Sequence, residues 1–331
     1  MYKLQTVDVN SALELKLNSD WWNIEEKRPK IENINIKIFS SIAEVYNAYK
    51  LGSIDLLNTS RNVNLEENIG TLGYNIKESY GRGFEYLALN CESDVLSNKE
   101  VRQAIIYAIN KEEIVNFGYG SKYIGADYPL SYGSYLYNKD ALKYEYNLNS
   151  AREALESHSW TRQNSYWQKK VNNKNIRTRI DLVVNSSNEK RVNAANMIKE
   201  DLEKIGIQVT VKAVTGKTYE NYIVNKNYDI LLTGVTVGLS PSLNRYFGEE
   251  NAANYTNEEA STILNDLYSI SDEKLLQEKY KELQNMYMED IPYIGLCFDK
   301  ASVIYGKDVS GTVSINWYNI FYNIETWYRK N

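Results

Sequence analysis

Between Ile176 and Val214 the spacing of apolar residues changes from two to nearly four and back to two. Ile176, Thr178, Ile180, Leu182 and Val184 fall on one face of a strand. Val192, Ala195, Ile198, Leu202 and Ile205 recur at helical spacing, and Gly206 ends the run as a residue that tolerates a left-handed backbone. Ile207, Val209, Val211 and Ala213 then form a second strand. Strand, helix and strand in that order make a crossover between parallel strands of one sheet, which commits the chain to an α/β fold and to a helix over residues 188–205. Asp229 to Val237 is a further buried strand.

The same reading extends in both directions. Leu13, Leu15 and Leu17, and then Ile34, Ile36 and Ile38, alternate as half-buried strands do. Ile42, Val45 and Tyr49 form a helical stripe ended by Gly52. Tyr86 to Asn90 is a strand, and Val101, Ala104, Ile105, Ala108 and Ile109 are the buried face of the helix after it. Ser97 with Glu100, and Ser150 with Glu153, have the spacing of capping boxes. Two helices, Asn257 to Ile270 and Asp272 to Met288, precede a last group of strands from Ile291. Trp22, Val101, Ile105 and Leu202 are expected in the core.

The chemistry that is missing narrows the function. With 331 residues there is enough chain for two cores. A net charge of −5 without basic runs gives no footprint for nucleic acid, and no apolar run approaches a membrane span. The chain has one histidine, His158, at a helix end, which rules out metal sites built on several histidines and leaves any Ser-His or Cys-His site dependent on that residue. No HExxH, GxSxG, Walker loop or GxGxxG is present. Gly81-Arg82-Gly83 and Gly118-Tyr119-Gly120 lack the strand-to-helix context of a phosphate cradle. An enzyme is therefore disfavoured, and no cofactor or metal is expected. Cys91 and Cys297 read as buried free thiols. The many tyrosines, with Asn, Lys and Ile, share AT-rich codons and by themselves point to no ligand.

Several segments, in order, carry a likeness. VRQAIIYAIN (Val101 to Asn110) follows a strand ending in Asn. Before it come Tyr2-Lys3-Leu4, LNSDWW (Leu17 to Trp22), KRPKIENINI (Lys27 to Ile36) and AYKLGSIDLL (Ala48 to Leu57). After it come NYTNEEASTIL (Asn254 to Leu264, with Ser261 where an Asp is usual), IPYIGLCF (Ile291 to Phe298) and WYNIFYNIETWY (Trp317 to Tyr328). Together they resemble the family 5 extracellular solute-binding proteins, the oligopeptide- and dipeptide-binding components of ABC importers. The resemblance implies a two-lobe, periplasmic-binding-protein-like fold of the class II, venus-flytrap kind. Lobe I would comprise residues 1–84 and 300–331 and would be incomplete. The other lobe would be 85–299, with a hinge at the two crossings. It also implies an exported, surface-anchored lipoprotein, truncated relative to the family, with a peptide or other small solute and a membrane permease as partners. Cys91 and Cys297 would lie near the lobe junction, where a disulfide is the alternative to free thiols. A non-transport surface or signalling module on the same fold is the alternative function.

The resemblance also places the site. The family's cleft strand runs Gly-Trp-x-x-Asp, and its Asp holds the ligand's ammonium. Here the matching run is Gly234-Val235-Thr236-Val237-Gly238-Leu239-Ser240-Pro241, with Val235 at the Trp position and Gly238 at the Asp position. The implied ligand-binding residues are Val235, Thr236, Gly238 and Ser240 on this strand, and Tyr80, Gly81, Arg82 and Phe84 at the lobe crossing. Backbone pairing with a peptide survives these changes, but the acid is gone. Either the solute lacks a free amine, or another acid such as Asp127 or Asp229 replaces it, or binding is lost. The family's larger extent further implies that these 331 residues alone bind solute weakly.

Overall fold

The computed structural model describes residues 1–9, 11–59, 69–70, 73–120, 123–131, 133–238, 241–315 and 319–330. The chain divides into two compact units, Met1–Gly81 with Lys300–Asn331, and Arg82–Asp299. It passes between them within two long strands.

The first unit begins with an antiparallel sheet in the order β1 (Tyr2–Asp8), β2 (Ala12–Leu17), β3 (Asn33–Lys37). Leu13 pairs with Ile36 and Leu15 with Ile34, so the alternation read from sequence becomes one apolar face. Helix α1 (Ile42–Lys50) starts at Ser41, whose side chain accepts from the Glu44 backbone N–H, and ends before Gly52 at φ +67°. Its buried residues are Tyr46 and Ala48, with Val45 and Tyr49 half-buried, while Ile42 is exposed, so the buried face is turned from the one expected. Strand β4 (Leu56–Thr59) follows. An apolar cleft of about 510 Å³ lies in this unit, lined by Ile34, Ile36, Leu56, Phe321 and Trp327 among others.

Trp22 is not core. It is 86% exposed and meets the Trp21 ring edge-on at 6.0 Å. It sits in the turn after β2, outside the sheet, where no second layer of the described residues covers it. Trp22→Ala is expected to leave the urea midpoint within the roughly 0.5 kcal/mol typical of surface changes. A large drop would show that this ring is buried after all.

Strand β5 (Tyr74–Leu89) carries the chain into the second unit. Helix α2 (Lys99–Ala108) then buries Val101, Ala104, Ile105 and Ala108 as expected. The Ser97–Glu100 capping box does not form. Glu100 instead accepts from Trp160 Nε1 at 3.1 Å and Lys169 Nζ at 2.7 Å, and Ser97 Oγ donates to the Asp94 carbonyl. The second box fails for a local reason. Helix α3 (Leu148–Glu156) begins earlier than expected, capped by Asn147, whose Oδ1 accepts from the N–H groups of Asn149 and Ser150. Between these helices β6 (Tyr123–Gly125) pairs with a later strand.

The crossover unit is present, with one correction. Its first strand is two. After β7 (Thr161–Gln163) and β8 (Tyr166–Val171), β9 (Lys174–Arg177) closes a small antiparallel sheet, and β10 (Arg179–Asn185) starts the main one. The break is at Thr178, fully buried, whose Oγ1 accepts from Trp167 N at 2.9 Å and donates to the Gly206 carbonyl at 3.1 Å. Helix α4 (Glu189–Lys204) and β11 (Gln208–Val214) complete the unit, with β10 and β11 parallel in register from Arg179–Gln208 to Asn185–Val214. Gly206 has φ +85°.

Helix α5 (Gly216–Val224) leads into β12 (Ile230–Thr236). After it come α6 (Glu258–Asp266), α7 (Glu273–Asp290) and β13 (Tyr293–Gly306), which returns the chain to the first unit. Within the second unit the sheet order is β11-β10-β12-β5-β13, with β6 on the far edge of β13. β12 runs parallel to β10 and antiparallel to β5. One face of this sheet is aromatic. Phe84, Tyr86, Tyr246, Tyr287, Tyr293 and Phe298 pack together with centroids 4.9–6.5 Å apart. Many of the tyrosines thus serve as core residues.

Candidate functional site

The two strand segments singled out by sequence are neighbours. β12 pairs with β5 from Ile230–Leu89 to Thr236–Gly83, so Val235 lies opposite Phe84. The pairing continues one residue further, where Val237 N donates to Arg82 O at 2.8 Å and Arg82 Nε donates to Val237 O at 2.7 Å. The Arg82 guanidinium is therefore engaged by a main-chain carbonyl. Thr236 and Gly238 are exposed, Tyr80, Arg82 and Val235 half-buried, and Gly81 buried. Phe84 is 0% exposed, its ring 4.9 Å from Phe298 and stacked on Tyr86, so its side chain is core and offers no surface for stacking on a solute. Leu239 and Ser240 lie outside the described residues.

β12 has an open edge. Its other neighbour, β10, pairs only with Ile230, Leu231 and Leu232. Beyond Leu232 no strand among the described residues lies on that side. Main-chain groups alternate along an antiparallel strand. Since Val237 turns its N–H and C=O to β5, the N–H and C=O of Gly234 and Thr236 point to the open side.

The sheet face opposite the aromatic cluster is charged. Alternation places Gly83 and Glu85 of β5, Gly234 and Thr236 of β12, and Cys297 and Asp299 of β13 on it. Glu85 is buried and receives Arg191 in a two-point pair, Nε to Oε2 at 2.7 Å and Nη2 to Oε1 at 2.9 Å. Tyr119 donates its hydroxyl to the same carboxylate at 3.1 Å. Burial opposes the charge on Arg191, but the bonds and attraction from Glu85 outweigh it and raise the guanidinium pKa further. The Tyr119 hydroxyl is pushed well above its ordinary value by burial and then by Glu85. Gly234 leaves the space that this pair occupies. A Cβ there would lie 2.4 Å from both Arg191 Nη2 and Glu85 Oε1.

Gly83 makes similar room for Asp299. A Cβ on Gly83 would lie 3.1–3.3 Å from the Asp299 carboxylate, which accepts from the Gly83 N–H at 2.7 Å. The structure leaves the acids expected from sequence already engaged. Asp127 is paired with Lys111, and Asp229 accepts from the Asp181 N–H at 2.8 Å. His158 is at the end of α3, its Nδ1 beside the Ala154 carbonyl and the Ser157 hydroxyl, with no nucleophilic arrangement around it among the described residues. Cys91 and Cys297 are free thiols, pushed up in pKa by burial, and no group of three or more acidic, His or Cys side chains gathers as a metal site among the described residues. Nor is any described helix long and apolar enough to cross a membrane. The arrangement can bind and orient.

Residues 1–254 match the family model of bacterial extracellular solute-binding proteins, family 5, middle part, and the chain belongs to that family. It is 25% identical over 339 aligned positions to the oligopeptide-binding protein AppA of Bacillus subtilis, an alignment covering 99% of this chain and 61% of AppA. The structure of that AppA with a nonapeptide matches at a TM-score of 0.66 and 24% identity, over 100% of this chain and 66% of that one. HbpA2 from Haemophilus parasuis matches at 0.78 and 21% identity over 100% and 64%, and NikZ from Campylobacter jejuni, with Ni(L-His), at 0.65 and 22% over 99% and 67%. The fold is thus that of periplasmic binding proteins, and the relatives are transport proteins that bind substrates rather than convert them. The chain spans about three fifths of the length of AppA.

Proposed function

We propose that this protein is the extracellular substrate-binding component of an ABC importer. It takes a peptide or peptide-like solute as an added strand on the open edge of β12. The observation that supports this reading is the unpaired run from Gly234 to Thr236, which offers main-chain donors and acceptors in strand geometry. Pairing of this kind reads the peptide backbone and tolerates many side chains. The family and the nonapeptide held by AppA support the same class of solute. A compact chelate such as Ni(L-His), carried by NikZ, would leave most of a strand edge unused. The membrane permease is proposed as the partner on family grounds, and the division at Gly81 and Asp299 as the lobe boundary.

The test is backbone chemistry. Peptides between the pentapeptide and nonapeptide sizes held by two relatives would be offered as a mixture and retained species read by native mass spectrometry. Several sequences are expected to be retained. Their counterparts N-methylated at alternate amides are expected to be lost, because a methyl group removes the donor and blocks the approach to the edge. Equal retention of the methylated set would remove strand addition as the mode.

A further inference from the structure

Two strands of the first unit keep one edge free among the described residues. β3 is the last strand of the small sheet and β4 the last of the large one. Leu17 N donates to Glu32 O and Ile38 N to Ser11 O, both at 2.8 Å, so the even-numbered residues of β3 turn their main chain to β2. Asn33, Asn35 and Lys37 therefore turn theirs away. On β4, Gly306 N donates to Asp55 O at 3.0 Å, so Leu57 faces β13 while Leu56 and Asn58 face outward. No main-chain bond from these outward groups is made among the described residues, and all five residues line the apolar cleft of this unit. Lys37 Nζ donates to the Ser53 carbonyl at 2.8 Å and ties the two sides at one end.

Apolar side chains border the cleft from two layers. Ile34, Leu56 and Trp327 belong to one apolar cluster, Val45, Ile54 and Leu57 to another, and members of both line it. The run β3–α1–β4 has the strand-helix-strand order that joins strands of one sheet, yet here β3 and β4 lie in different sheets. One strand between them would unite the two. We propose that this cleft receives an extended apolar segment of a polypeptide outside these 331 residues, inserted between β3 and β4 and paired with both. The chain spans about three fifths of AppA, so relatives of this fold carry polypeptide that it does not. Every described strand of this chain already pairs on one edge, whereas the occupant must offer two, so a second copy does not supply it. A strand covered on both faces is a near-continuous apolar run rather than an alternating one. Its length would match that of β3, 5 residues.

The probe is a capped peptide of Val and Ile, as long as β3 and flanked by lysines for solubility. Amide hydrogen exchange would be read by NMR, alongside the melting midpoint. The peptide is expected to slow exchange at Asn33, Asn35, Lys37, Leu56 and Asn58 by about tenfold or more and to raise the midpoint. The same peptide N-methylated at alternate amides should do neither, because one of its two edges is then blocked. Asn35→Pro removes an outward N–H and leaves the β2 ladder intact. It should keep the chain's own midpoint and abolish the peptide's effect at Asn58 as well as on β3, since insertion needs both edges. Should Asn35→Pro itself lower the midpoint, Asn58→Pro carries the same test from β4. Exchange unchanged by the peptide, equal action of the methylated form, or protection at Asn58 that persists in Asn35→Pro would each overturn the proposal. So would slow exchange at these amides in the chain alone, which would mean that it covers its own cleft or pairs with a copy. Protection at Gly234 and Thr236 instead would place the peptide on β12, overturning the cleft site while leaving the solute reading standing.

Discussion

Arg191→Met is expected to destabilise the protein by about 3 kcal/mol, because it strands the Glu85 carboxylate in a buried place. The low end of the range for broken buried pairs applies, since both side chains keep some exposure, 17% and 12%. Tyr119 would still donate to the carboxylate, but one neutral hydroxyl does not replace two charged donors. Replacing both partners, Arg191→Met with Glu85→Leu, should recover most of the loss, since the expense lies in the unpaired charge. Urea midpoints of the two variants decide the matter. A double variant as unstable as Arg191→Met would mean that the pair holds β5, β12 and α4 in place by geometry rather than by charge balance. Gly234→Ala should reproduce part of the single loss, as its methyl would occupy the space of the paired groups.

Ile105→Ala is expected to cost about 2–5 kcal/mol through lost burial and the cavity left behind. Ile105 is 0% exposed on the inner face of α2, beside Val101, Ala104 and Ala108. The position of the loss within that range would report how far α2 can settle against its neighbours. A midpoint equal to wild type in urea denaturation would show that this helix face is not packed as described.

These two residues differ in how they could be found. Ile105 was legible because helical burial repeats at a short, regular spacing, which also exposed α4, the strands beside it and the left-handed glycines Gly52 and Gly206. Local polar signals were less reliable. Glu100 has capping-box spacing, yet Trp160 and Lys169, distant in sequence, compete for its carboxylate and win. Thr178 reads as a mid-strand residue, and its buried bonds to Trp167 and Gly206 make it the break between two sheets. Trp22 reads as core by its chemistry, and a turn leaves it in solvent.

The site divides along the same line. Sequence alone read Asp229 to Val237 as extended, and the family resemblance made Gly81 to Phe84 and Gly234 to Gly238 candidates. It also showed that Gly238 cannot supply an acid. Only the tertiary structure decided that β10 leaves Gly234 to Thr236 unpaired, that Phe84 turns into the core, and that two glycines make room for the Glu85–Arg191 pair and for Asp299. The reason is separation along the chain. Glu85 and Arg191 are 106 residues apart, and Gly83 and Asp299 216, so no periodicity or spacing links them until the sheet brings β5, β12 and β13 side by side.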